Sequence, residues 1–454
     1  RNFEKSCIRN IKFFFKEAVS WGKFGSGATS FRYRDDSFAF VDAAPSLFGD
    51  NLELVLAALN SKAISYLLSI QGSTLNVTVG LSGGLPIPQI SNVKSTVLHA
   101  IKIAIYDSES YTTSWNFSYL PILFGYLKQP TIATSYAAWR QHCRADIETM
   151  QRLEEENNRL FINAYGLQDE LTPEVPLNEI TLTCNPHYRY GGSKSDSELE
   201  QLLLIDTIKE LISYAIGCMM GRYSLDAPGL IYAHSGNEGF DPNCYPSFPA
   251  DEDGIIPITD TDWFADDATN RLAEFLAVAW PKEHERENLA FVATSLGQKG
   301  GETPLDTVRR YLSRDFFKDH LKTYKKRPIY WLFSSGKQKA FECLVYLHRY
   351  HPGTLSRMRM EYVVPLQSRL RARAEQLGQD IAAASSTAVR NKAQKELDKL
   401  RVQQEELAQY DEKLRHFADQ RITLDLDDGV KVNYGKLGNL LAEVAAITGD
   451  KGED

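Results

Sequence analysis

Apolar and polar positions alternate early in the chain. In "TSFRYR", Phe31 and Tyr33 fall on one face and Arg32 and Arg34 on the other, and "FAFV" repeats the aromatic alternation, so both stretches read as half-exposed strands. The period then lengthens. Leu52, Val55, Leu56, Leu59, Ala63, Tyr66 and Leu67 recur at helical spacing, which predicts one helix from Asn51 to Ile70 with a buried face. The turn-rich "QGSTLNVTVGLSGG" follows, and the prolines of "LPIP" exclude a central strand or a helix interior there. Helical periodicity returns from Tyr136 to Arg159 and from Leu199 to Met220, with Gly221 as the stop. From Leu366 to Phe417 there is no proline, Leu400, Leu407 and Leu414 recur at heptad spacing, and "AAASSTA" interrupts the run. That pattern predicts two long helices folded back as an antiparallel hairpin. The expected fold is mixed α/β of the α+β kind in five segments: 1–130, mixed; 131–300, helix-rich; 301–365, basic and aromatic; 366–421, the hairpin; and 422–454, a tail.

A chain of 454 residues, 43% of them hydrophobic, is long enough for two or more packed domains. Its formal net charge of -8 gives no general attraction to polyphosphate, so contact with nucleic acid requires a local basic surface. No apolar run approaches the roughly 20 residues needed to span a bilayer, and "RNFEKSCIRN" lacks a secretory core, so a cytoplasmic location with no membrane partner is expected. A start at Arg instead of Met reads as a fragment. The six cysteines form no Cys-x-x-Cys pair and read as reduced thiols. Charge is unevenly placed. Phe240 to Asn270 is rich in Asp with no Lys or Arg, whereas Arg309 to Lys339 carries ten cations against Asp315 and Asp319.

One tetrapeptide raises the question of chemistry. Enzymes that methylate the exocyclic amine of a base carry Asn-Pro-Pro-Tyr or a close variant, and "ITLTCNPHYRYGG" contains Asn185-Pro186-His187-Tyr188. The second proline of such a motif fixes φ, which His187 cannot do. A methyl-donor site also needs a glycine-rich turn from a strand into a helix, and the candidate "WGKFGSGATSFRYR" runs into strand-like alternation instead. A turn or strand end is the better reading, and no catalytic or cofactor-binding residue is assigned. His348 and His351 lack companion ligands at metal spacing, Asp251 to Asp253 lacks the spacing of a calcium loop, and Asp35-Asp36 lacks a paired acidic cluster. No metal site is therefore expected.

Cations interleaved with aromatics in "KTYKKRPIYWLFSSGKQK" suit a surface that tracks a nucleic-acid backbone. Lys325, Lys326, Arg327, Tyr330 and Lys337 are the candidates there, and Arg357 and Arg359 extend the basic character. The plain alternative is that Ile329, Trp331 and Leu332 form a buried strand behind a solvated turn. In the first segment, Lys23, Ser26, Thr29, Arg32 and Arg34 stand on polar loop or strand faces, where Arg, Ser and Thr can meet base edges.

Six blocks, "ALNSKAISYLLSIQGSTLNVTVGLSGGLPIP", "LISYAIGCMMGRYSLDAPGLIYA", "YPSFPADEDGIIPIT", "DFFKDHLKTYKKRPIYWLFSSGKQKAF", "LVYLHRYHPGTLSRMRMEYV" and "LDDGVKVNYGKL", together resemble the C-terminal portion of the PglX-type adenine-specific DNA methyltransferases of BREX phage-defence systems. The first block is also similar to target-recognition domains of restriction-modification enzymes, which pair "LNSK" with a downstream "LPIP". The resemblance implies an enzyme that uses S-adenosylmethionine to methylate adenine in host DNA and works with other BREX proteins. Its cofactor loop and Asn-Pro-Pro-Tyr tetrad would belong to a domain outside these residues, so the donor would bind elsewhere. The expected role is recognition of double-stranded DNA, with residues up to about Pro130 as a target-recognition-like domain. A protein-interaction scaffold that recruits other defence components is the alternative, and an autonomous methyltransferase using Asn185 is a third. A basic duplex-binding surface would also attract acidic phage proteins that imitate DNA.

Overall fold

A computed structural model describes residues 10–23, 29–41, 43–71, 77–90 and 93–449. The chain divides into two compact units, one of residues 1–108 and 140–202, the other of 109–139 and 203–454. The units are discontinuous, whereas the sequence reading cuts the chain into consecutive segments. The mixed α/β expectation holds, with small antiparallel sheets and a helix-rich body.

In the first unit, β1 (Ala18–Trp21) lies between β2 (Phe31–Arg34) and β3 (Ser46–Leu47), antiparallel to both. The predicted alternation is present: Phe31 is buried, while Arg32 and Arg34 are exposed. "FAFV" contributes only an isolated bridge, Val41 to Ala44, in place of the expected strand. The helix expected from Asn51 to Ile70 is two helices, Leu52–Leu59 and Lys62–Gln71, bent by 67°. Asn60 causes the break. Its carboxamide accepts from the Phe31 N–H (3.0 Å) and donates to the Phe31 carbonyl (3.0 Å), pairing with the strand as another strand would. Ser61 Oγ then accepts from the Ile64 N–H (3.3 Å), and the Lys62 N–H donates to Asn158 (2.9 Å). "LNSK" is thus a fastener that holds β2 against the helices.

The helices expected around 136–159 and 199–220 run Ile132–Tyr165 and Asp196–Met219, and Gly221 follows the second at φ 75°. Among the described residues no single helix is long and apolar enough to cross a membrane.

In the second unit, β6 (Glu342–Tyr346) lies between β4 (Ile255–Pro257) and β5 (Tyr330–Ser334). Both faces of β6 and nearly all of β5 are buried. The hairpin arms are Val364–Ala383 and Thr387–Asp419. Their antiparallel sense follows from two ion pairs, Arg373 with Glu396 and, from the helical segment Met358–Val363 that leads into the first arm, Arg359 with Asp411: 14 residues back on one side (373 to 359) is 15 forward on the other (396 to 411). Leu400, Leu407 and Leu414 are buried, as the heptad spacing requires.

Glu406 of the second arm fastens the turn between β5 and β6. Its carboxylate accepts from Ser335 Oγ (2.7 Å), the Gln338 N–H (2.7 Å) and the Ala340 N–H (3.3 Å). Gly336 must be glycine here, because it stands at φ 138° and a Cβ would lie 2.9 Å from the Glu406 carboxylate. Glu406→Ala leaves the buried Ala340 N–H without its partner, while the exposed Gln338 N–H turns to water, and should cost about 1–2 kcal/mol. Urea unfolding read by far-UV circular dichroism measures that loss.

Candidate nucleic-acid interface

Ten cations between Arg309 and Lys339 looked alike in sequence, but the fold separates them. Arg309 pairs with Asp267 and, at 3.4 Å, with Asp262; Arg310 pairs with Glu302 at 2.8 Å, and Lys339 with Glu342 at 3.0 Å. Those charges are spent inside the molecule. Asp319, one of the two acids within the run, is taken by Lys209 at 2.8 Å and by the Tyr311 hydroxyl at 3.1 Å. Arg314, Lys318, Lys322, Lys325, Lys326 and Arg327 are all exposed, and none has a carboxylate partner among the described residues. Arg314, Lys318 and Lys322 recur every four residues, as one helical face requires. The run read as a sequence points to Lys325, Lys326 and Arg327 and passes over these three, although their spacing is visible in it.

The helix Phe317–Thr323 closes with the Lys326 N–H donating to the Leu321 carbonyl (2.7 Å) and the Lys325 N–H to Lys322 (3.3 Å), the paired bonds of a Schellman motif. This geometry sets Lys325 at φ 50° and Lys326 at φ 60°. Left-handed backbone favours glycine, yet two lysines occupy it, each at a cost of roughly 1 kcal/mol.

The aromatics of the run do not share that surface. Tyr330, expected to face bases, is 1% exposed, because β5 is sandwiched and its ring stacks on His320 at 4.9 Å. Trp331, Leu332 and Phe333 are buried in the same strand, as the buried-strand alternative has it for Trp331 and Leu332, and Phe316 and Phe317 are buried on the helical segments before it. His320 holds the strand entry: its Nε2 accepts from the N–H groups of Ile329 (3.0 Å) and Tyr330 (3.1 Å). Burial, and then the charge of Arg222, push this imidazole down to about 3.

Lys337 is exposed in the Glu406-fastened turn. Arg357 and Arg359 are otherwise engaged. Arg357 bonds Glu361 at 3.0 Å and reaches Asp253 at 3.4 Å, while Arg359 grips both carboxylate oxygens of Asp411 at 2.7 and 3.1 Å. They brace the protein, and a phosphate would have to displace a carboxylate to reach either.

In the first unit, Arg32 donates to Thr181 Oγ1 at 2.5 Å, and Arg34 lies over the Phe38 ring at 5.1 Å. Lys23 follows β1, its N–H donating to the Ala43 carbonyl (3.0 Å), and Thr29 lies two residues before β2. Ser26 lies outside the described residues.

The Asn185 tetrad is a capped helical turn. Asn185 is the N-cap of Pro186–Tyr190, with proline at the first helical position and Gly191 at φ 54° after the last. The Asn185 side chain is fully buried; Oδ1 accepts from the His187 N–H (3.1 Å), and Nδ2 donates to the carbonyls of Leu177 (2.7 Å) and Ile180 (2.8 Å). Both Nδ2 hydrogens are committed to the fold, and the side chain is closed off from solvent, so Oδ1 is not presented to a target amine. Gly25 and Gly27 of the upstream glycine-containing stretch lie outside the described residues; the strands β1 and β2 flank them. Asn185→Ala should cost about 2–3 kcal/mol through the lost cap and two unmet carbonyls, measurable as a lower thermal midpoint. Among the described residues no group of His, Cys, Asp and Glu is arranged to hold a metal.

No protein-family model matches the chain. Over 463 residues it is 44% identical to the adenine-specific methyltransferase BrxX of Escherichia coli O9:H4 (strain HS), covering 99% of the chain and 38% of that protein. It is 36% identical over 441 residues to the adenine-specific methyltransferase PglX of Lacticaseibacillus casei (strain Zhang), covering 94% of the chain and 35% of that protein. The chain therefore spans little more than a third of the length of these curated relatives. Along almost its entire length, it corresponds to a portion of a PglX-type protein.

Proposed function

We propose that this chain supplies duplex binding and sequence choice to a site-specific adenine DNA methyltransferase of a BREX phage-defence system, acting in the cytoplasm. Methyl transfer from S-adenosylmethionine is assigned to residues outside it. The observation that carries this reading is the strip from Arg314 to Arg327: six exposed cations, none paired with a carboxylate among the described residues, on a chain whose net charge is -8. Folding leaves those charges unneutralised where it neutralises their neighbours, which is what a phosphate-facing surface requires. In the first unit, Arg34, Lys23 and Thr29 are assigned to base edges, and Arg32 joins them by exchanging Thr181 for a base. Other BREX proteins are proposed as partners of the whole enzyme. Acidic phage proteins with DNA-like charge spacing are proposed as competitors for the strip.

Fluorescence anisotropy with a labelled duplex of about 30 base pairs tests this reading. The chain should bind the duplex, and Arg34→Ala should change the ranking of duplex sequences while leaving the salt dependence nearly as it was. Absence of duplex binding in dilute buffer, together with salt-resistant capture of a defence protein, would instead favour the interaction scaffold.

A further inference from the structure

Arg222 follows the helix Asp196–Met219, its backbone held by an N–H bond to the Gly217 carbonyl (2.8 Å) and by its own carbonyl accepting from Ile231 (2.9 Å). Its guanidinium lies over the rings of Tyr223 (5.0 Å) and Tyr324 (5.7 Å). Nε and Nη1 are closed off from solvent, and neither has an acceptor among the described residues. Nη2 is not closed off, and the residue as a whole is half-buried, so a solute can approach. Arg309, Arg310, Arg357 and Arg359 all pair with carboxylates, whereas Arg222 pairs with none.

The surroundings are built around this side chain. At Gly217 a Cβ would lie 2.4 Å from a Tyr223 ring carbon and 2.9 Å from the Tyr330 hydroxyl, so the missing side chain lets both rings close in. His320 and His348 stand near enough to feel the charge, and burial first, then Arg222, hold them down to about 3 and about 4. Both are neutral at physiological pH, and among the described residues no carboxylate pairs with the arginine. Ring faces offset only part of the cost of taking a guanidinium out of water with its donors unmet. A phosphate supplies the missing charge and an acceptor for Nη2, the one donor of the guanidinium that is not closed off. Tyr324, which stacks on Arg222, is also the residue immediately before the strained Lys325-Lys326-Arg327 turn.

We propose that Arg222 is a phosphate-binding residue, set behind the Lys325–Arg327 turn and engaging one phosphate group through its open Nη2 and an adjoining donor. The phosphate is either one of the DNA backbone, in which case the inference deepens the duplex-binding reading and rests on it, or a free phosphate. Two probes separate these sources: inorganic phosphate against chloride at matched ionic strength, read by thermal shift, and a duplex of about 30 base pairs, read by anisotropy. In phosphate-free buffer, Arg222→Gln should melt no lower than the parent, since it removes an unbalanced cation. If the DNA backbone is the source, this variant should bind the duplex about tenfold more weakly at ~0.1 M salt, with the salt slope reduced by about one. If free phosphate is the source, millimolar phosphate should raise the parent's midpoint and not that of Arg222→Gln, with duplex binding unchanged. Either result supports the proposal. Parent-like behaviour of Arg222→Gln toward both probes overturns it. Should that variant fail to fold, Arg222→Met keeps an apolar stem against the rings and removes the charge, and parent-like responses from it overturn the proposal equally. Weaker duplex binding on charge reversal at Lys325, Lys326 and Arg327, with Arg222 variants unaffected, would remove this inference and leave the functional reading standing. Phosphate protection that depends on Arg222, with no effect of that reversal, would do the opposite.

Discussion

Replacing Lys325, Lys326 and Arg327 together with glutamate should lower duplex affinity roughly 500-fold at ~0.1 M salt, equally for all sequences. Each phosphate contact contributes about 0.9 to the salt exponent, or about eightfold at that salt, and three contacts compound. A loss of binding could reflect damage to the turn, so a single change separates the two effects. Lys325→Gly removes one cation and relieves a left-handed residue at φ 50°. It should therefore raise stability by about 1 kcal/mol while weakening duplex binding about eightfold. Opposite signs from one substitution, read by urea titration and anisotropy, cannot arise from unfolding.

His320→Ala should be among the most destabilising changes in the second unit, at about 3–5 kcal/mol. It leaves the N–H groups of Ile329 and Tyr330 without their shared acceptor and opens a cavity among the rings of Tyr324 and Tyr330. The same residue sets an acid limit. The folded imidazole titrates at about 3 against an ordinary 6.5, so below pH 6.5 the unfolded chain takes up a proton that the folded one refuses. Stability should fall as pH drops from 6.5 toward 3, by up to about 1.4 kcal/mol per pH unit from this group. His320→Gln keeps an acceptor without the titration, so the difference between its pH profile and the parent's isolates the histidine. Parallel profiles would show that the imidazole is not the source.

The elements that were legible in the sequence are those set by local periodicity. Leu400, Leu407 and Leu414 announce the hairpin, and the alternation of Phe31 and Tyr33 with Arg32 and Arg34 announces β2. The break at Asn60 was hidden because its partner, Phe31, is a backbone group 29 residues earlier. The candidate site was half visible for the same reason. A run of cations can be counted, but whether each is spent depends on distant carboxylates: Asp267 lies 42 residues from Arg309, and Asp411 lies 52 from Arg359. The burial of Tyr330 likewise follows from pairing with β6, and nothing in "RPIYWLF" itself distinguishes a sandwiched strand from a stacking surface. Asn185 shows the converse case, where a tetrapeptide that resembles chemistry is satisfied as a helix cap once its hydrogen bonds are placed.

The salt dependence of duplex binding tests the central claim most directly. The slope of log K against log salt for the parent chain should be steep, and the Lys325, Lys326 and Arg327 reversal should flatten it by about 2.7. A parent slope near zero, or one left unchanged by that reversal, would contradict the assignment of the exposed strip to the DNA backbone.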